Sequence, residues 1–152
     1  MNNLYIIMKK ILTILFAVVC LAACNQNESI KFDKTASEGI AGTYAGTWTR
    51  TLNEDVVSGE GTVVFAATED AHIASIAASC ENPAIARQGI ANVAHSDHEY
   101  VFYNNAAAGE FGTRFSGRVY KDGNIEMQYS VEEQVGRFKN TYTFTFVGKK
   151  EQ

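Results

Sequence analysis

From Gly39 onward, β-branched and aromatic residues alternate with polar ones, and turn residues interrupt them at intervals of about 8 to 12 positions. This is the pattern of half-buried strands in a sandwich or a barrel. The sharpest case is Thr141-Tyr142-Thr143-Phe144-Thr145-Phe146, with its aromatics on one face and its threonines on the other. Other strands are expected at Ile40–Thr51, Gly59–Ala67, His72–Ser79, Gly89–His95, His98–Asn104, Thr113–Tyr120 and Asn124–Val131. Together they make eight, the number at which small antiparallel up-and-down barrels close. One segment departs from alternation. Asn82-Pro83-Ala84-Ile85-Ala86-Arg87-Gln88-Gly89 offers an N-cap residue, a proline at the first helical position and a glycine just past the end. It predicts a short helix over 83–88 that closes one end of the barrel.

The hydrophobic pattern also selects a register. Between Tyr120 and Asn124 lies the turn Lys121-Asp122-Gly123. A two-residue turn would mix charged and apolar groups on both faces. A three-residue loop with Gly123 left-handed instead pairs Val119 with Ile125, Gly117 with Met127 and Phe115 with Tyr129 on one face. The other face then carries Arg118 opposite Glu126 and Ser116 opposite Gln128. A one-residue slip would swap the faces, so the three-residue loop is expected. The same alternation points Tyr44, Trp48, Phe102, Phe115, Met127, Tyr129, Phe144 and Phe146 inward. Facing them are strands rich in alanine and serine, with Ala74, Ala78 and Ala91 beside either a filled core or an apolar slot.

Ahead of the strands stands a different pattern. Lys9 and Lys10 precede an apolar run, Ile11–Ala23, of thirteen residues, whereas a membrane-spanning helix needs about 20. A positive start, a short apolar stretch and small residues at its end mark residues 1–23 as a signal peptide, with Met8 as the expected start. The run ends Leu21-Ala22-Ala23-Cys24, which resembles the lipobox of bacterial lipoproteins. The resemblance implies cleavage before Cys24, diacylglycerol on its sulfur and an acylated amine, and two or more chains anchor a protein stably. Residues 24–38 are polar and aperiodic, and read as a tether to a domain over 39–149. Glu28 is the one acidic residue just after Cys24, which makes no strong surface-export signal.

Gly46-Thr47-Trp48 resembles the Gly-x-Trp signature on the first strand of lipocalins, fatty-acid-binding proteins and avidin. With Gly42-Thr43-Tyr44 before it, the Asp122-Gly123 hairpin and the Tyr142-x-Phe144-x-Phe146-x-Gly148 last strand, the stretch is similar to the lipocalin-like (calycin-like) domain of small lipoproteins from Bacteroidota. That likeness implies an eight-stranded meander with an internal ligand cavity, held on the cell envelope, at the outer membrane of a Gram-negative bacterium. The chain departs from true lipocalins in showing no long helix after the last strand.

Charge and chemistry narrow the picture further. Loss of Lys9 and Lys10 with the signal takes the formal charge from −4 to −6, against a nucleic-acid partner, which needs a basic footprint. Cys20 leaves with the signal and Cys24 is consumed by lipid, so Cys80 is the one remaining thiol and no intramolecular disulfide is expected. His95-Ser96-Asp97-His98 is the single cluster that resembles a metal site: a two-residue turn at Ser96-Asp97 would set His95 against His98. Two imidazoles fall short of the three or four ligands zinc takes, and a polar hairpin tip is the plainer reading. No nucleophile elbow, phosphate loop or Cys-His pair is present, Glu132-Glu133 read as a solvated strand end, and neither catalysis nor a cofactor is expected.

Two function classes remain. One is a barrel that binds a small apolar or aromatic ligand, with Tyr44, Trp48, Phe102, Phe115, Tyr129 and Phe144 as candidate contacts. The other is a filled barrel serving as a structural or protein-interaction module, from which a loop-based inhibitor or adhesin is not separable. The anchor is testable independently of either. Cys24→Ala should leave the protein unacylated and shift it out of the membrane fraction; labelled fatty acid entering that variant would contradict the lipoprotein reading.

Overall fold

Alternation along the strands decides which way each side chain turns, and pairing of neighbours then closes the sheet. The computed structural model describes residues 35–152 except 108 and 110; the signal segment, Cys24 and the tether as far as Lys34 lie outside the described residues. A short helix, α1 (Ala36–Ile40), is followed by β1 (Gly42–Leu52), β2 (Asp55–Ala67), β3 (Ile73–Cys80), β4 (Ile85–His95), β5 (Glu99–Asn104), β6 (Thr113–Tyr120), β7 (Asn124–Val135) and β8 (Phe138–Lys150). Each strand pairs antiparallel with the next, and β8 returns to β1, with Trp48 opposite Phe146. The result is a closed eight-stranded up-and-down barrel, the fold class the sequence pattern predicts. Closure gives every strand a neighbour on both sides, except where β5 falls short of the first half of β4.

The inward residues form one continuous core. Tyr44, Trp48, Val63, Ala74, Ala91, Phe102, Ile125 and Phe146 are wholly buried. The rings touch in sequence along the barrel: Tyr44 to Phe65 (5.9 Å), Phe65 to Phe102 (4.9 Å), Phe102 to Phe115 (5.6 Å) and Phe115 to Phe111 (4.7 Å). From Phe111 the chain of rings passes to Tyr129 (5.2 Å), which stacks on Phe144 at 4.8 Å and meets Trp48 edge-on. Gly117 makes this possible, because the ring of Phe102 occupies the space its Cβ would need. Ala74, Ala78 and Ala91 belong to the same buried cluster.

One end of the barrel is closed by α1. Thr35 caps it, accepting from Glu38 N while Glu38 Oε2 accepts from Thr35 N at 3.0 Å, the reciprocal arrangement that makes a helix of five residues tenable. Ala36, Ser37 and Ile40 are buried, Ser37 N donates to Ala71 O, and Tyr44 Oη donates to Ile40 O at 2.7 Å. The helix therefore begins before the expected domain start at Gly39.

Three local expectations are corrected. No helix occupies 83–88. Residues Glu81–Ala84 form a turn and Ile85 begins β4, pairing with Cys80, while Ala86 pairs with Ser79 and Arg87 with Ala78. The N-cap, proline and glycine cues are local, and they lose to a strand alternation that buries Ile85, Ala91 and Val93 and continues the ladder. On β6 the pairings Val119–Ile125, Gly117–Met127, Arg118–Glu126 and Ser116–Gln128 hold, and Gly123 has φ +84. The register then shifts between Thr113 and Ser116, so Phe115 does not pair with Tyr129; Arg114, at φ 54, takes up the extra residue as a bulge. Finally, the hairpin turns one residue later than expected, at Asp97-His98, where Ser96 N donates to Glu99 O, so His95 pairs with Tyr100 and not with His98.

A filled interior makes a signed prediction. Ala74→Leu, at a site with no exposed surface, should destabilise the domain by about 1–3 kcal/mol through over-packing. Denaturant unfolding reads it, and a neutral or stabilising change would mean unfilled space beside Ala74.

Candidate functional site

The end opposite α1 is built differently. The β3–β4 turn, the 105–112 segment and the β7–β8 hairpin meet there, and β5 is too short to flank all of β4. β5 pairs with β4 over Ala91–His95 alone, leaving Ile85–Ile90 without a strand on that side. Phe111 fills the gap, its side chain packing where a Cβ on Gly89 would point. Asn104 holds the segment in place: its Oδ1 accepts from Phe111 N at 3.0 Å and its Nδ2 donates to Gly112 O at 2.7 Å.

Above Phe111 lies an open cleft of about 380 Å³, lined by Ile85, Arg87, Tyr129, Val131, Tyr142 and Phe144, with Ala84, Ala86, Glu132 and Glu133 at its border. Tyr129 and Phe144 form its floor, stacked within 6° of parallel. Arg87 faces inward, against the usual preference for apolar groups there. Its Nε donates to Phe111 O at 2.8 Å, and its guanidinium sits 5.2 Å from the Tyr129 ring centre and 5.6 Å from that of Phe111. These contacts offset the cost of a half-buried charge by hydrogen bonding and cation–π attraction. Arg50, also inward, reaches over Tyr142 at 5.8 Å and pairs with Asp55 at 3.0 Å. Two buried donors, Trp48 Nε1 and Arg50 Nε, have no hydrogen-bond partner among the described residues.

Burial acts on the phenols. It pushes Tyr129 up to about 12, with the Arg87 guanidinium pulling the other way. It pushes Tyr44 still further above its usual value, and Tyr100 adds to the effect.

The sequence-derived candidates divide between two places. Tyr44, Trp48, Phe102 and Phe115 are buried in the ring-filled interior, whereas Tyr129 and Phe144 reach the cleft. Ile85 and Arg87, which the helix reading obscured, complete it; an inward arginine gives no signal in an alternation count. Phe111 lies outside every predicted strand, and its role emerges only from the shortness of β5. His95 and His98 are exposed at the α1 end, and no group of three His, Cys, Asp or Glu suited to a metal occurs among the described residues. Cys80 is a buried free thiol whose Sγ donates to Glu60 O at 3.3 Å.

The topology is consistent with a calycin-like fold. Comparisons of the chain with models of known families, with curated proteins and with solved structures find no match.

The link between Arg87 and Tyr129 can be tested by titration. An unfolded tyrosine ionises near 10 and folded Tyr129 near 12. Stability from keeping this phenol neutral is therefore full below about pH 10 and lost as the pH rises towards 12. Arg87→Met removes the cation that favours the phenolate, so Tyr129 should ionise at higher pH. Tyrosinate absorbance, differenced against the matching Tyr129→Phe variants, measures this; an unchanged midpoint would contradict the contact.

Proposed function

We propose that the protein is a lipid-anchored envelope lipoprotein whose barrel binds a small apolar or aromatic ligand at its open end. The observation that carries this reading is the cleft itself. It lies at the mouth of the barrel on a stacked aromatic floor, its walls are mostly apolar or aromatic, and a few polar groups converge on it. The anchor rests on the sequence from Lys9 to Cys24. Residues after Cys24 join the domain at Thr35, beside α1, at the end away from the cleft. Among the described residues no helix is long and apolar enough to cross a membrane. The role is one of binding, without catalysis or nucleic acid.

A protein-interaction module is the second reading, and a specific feature favours it. The β7–β8 hairpin carries Phe138 at 78% exposure and Val135 at 49%, large apolar surface for a hairpin tip.

Native mass spectrometry of the exported chain carrying Cys24→Ala separates the two. The ligand reading expects a retained small molecule, or uptake of an aromatic probe, and loss of both when Val131→Trp fills the cleft. A protein that arrives bare and takes up no probe leaves the interaction module standing alone.

A further inference from the structure

Arg87 is the one cation among the residues that line the cleft, and its terminal nitrogens are left unanswered. A guanidinium carries five N–H donors in a fixed fork. Here one of them, on Nε, is used by Phe111 O, and Cζ lies within cation–π reach of the Phe111 and Tyr129 rings. The terminal nitrogens make no hydrogen bond or ion pair among the described residues. Elsewhere cations pair with carboxylates of this chain, as Arg50 does with Asp55, Arg118 with Glu99 and Lys139 with Glu132. Glu132 borders the cleft but is taken by Lys139 at 3.0 Å. Glu133 also borders it and forms no pair with Arg87. A half-buried cation pinned at one nitrogen and held near two rings, with its terminal nitrogens free beside an aromatic floor, is preorganised for a bidentate anion.

We propose that the cleft takes a flat, largely apolar molecule carrying a carboxylate, and that Arg87 receives the carboxylate while Tyr129, Phe144 and Val131 hold the apolar body. The inference rests on the ligand-binding reading above and adds the charge of the ligand to it. The arrangement explains why an arginine stands at an inward position of β4 where alternation calls for an apolar residue. It also assigns Phe111 a positioning role, since its carbonyl and ring fix the guanidinium before any ligand arrives. The overall negative charge of the chain gives no general attraction for acids, so selectivity has to come from this one group.

Paired probes test the proposal on the full chain carrying Cys24→Ala: 1-naphthoate and its neutral counterpart 1-naphthalenemethanol, titrated at equilibrium. The wild type should bind the acid about tenfold or more tightly than the alcohol, the gain expected of a charge-assisted pair in a partly dry site. Arg87→Gln should abolish that preference, so that acid and alcohol bind the variant with equal affinity through the apolar walls that remain. Equal affinity for acid and alcohol in the wild type overturns the carboxylate assignment and leaves the ligand reading intact, as does a preference that survives Arg87→Gln. Loss of both probes in Arg87→Gln gives the arginine a purely structural role and also overturns it. Uptake of neither probe by the wild type removes the ligand reading itself.

Discussion

A chain of aromatic rings, running from Tyr44 at the α1 end through Phe65, Phe102, Phe115 and Phe111 to Tyr129 and Phe144 at the other, fixes how everything else is arranged. An eight-stranded barrel has just enough interior to be filled by side chains, and rings this large can fill it only if the facing positions are small. Gly117 stands under Phe102, Gly89 under Phe111, and Ala74, Ala78 and Ala91 line the opposing wall. Each ring pair adds about 0.5–1.5 kcal/mol beyond its buried area, and edge-on and tilted contacts lock the rings relative to one another. Tyr44 ends the chain polar-side out, its hydroxyl bound to Ile40 O.

The two ends of this spine have different fates. At one, a capped helix of five residues plugs the barrel and buries Ile40 against the core. At the other, the last stacked pair, Tyr129 on Phe144, is left as the floor of an open cleft. The asymmetry follows from strand length. β7 and β8 extend to Val135 and Phe138, β5 stops at Asn104, and the loop after β5 folds back to seat Phe111. A barrel with equal strands would offer no such shelf, and Arg87 would then have no rings or carbonyl to hold it in a half-buried position.

How much of this the sequence reveals depends on the range over which each feature is decided. The strands, their number and the inward set follow from alternation, because a period of two is repeated many times and each repeat reinforces the rest. The Gly123 loop is legible for the same reason: a wrong register would have put Arg118 and Glu126 among the apolar groups. The segment 83–88 misleads because Asn82 and Pro83, with their helical capping preferences, sit in a turn and Gly89 lies within β4, while the partner that makes Ile85 a strand residue, Cys80, is read from pairing and not from local preference. The bulge at Arg114 and the His95–Tyr100 pairing are single-residue offsets that local pattern cannot fix. The candidate site was half legible. Tyr129 and Phe144 were found as inward aromatics, but their separation from Tyr44, Trp48, Phe102 and Phe115 depends on depth along the barrel, which alternation does not encode. Arg87 and Phe111 matter through each other and through the shortness of β5.

The interior is sealed by its own rings, and the proposed binding falls at the exposed end of the spine. Mapping backbone amide shifts by NMR while 1-naphthoate is added tests this most directly. The perturbed amides should cluster at Ala84–Arg87, Tyr129–Glu133 and Tyr142–Phe144, with those of α1 and of Ala74 unmoved. Shifts centred on Ile40, Tyr44 and Ala74 would place the ligand inside the barrel and contradict a core closed by its own side chains.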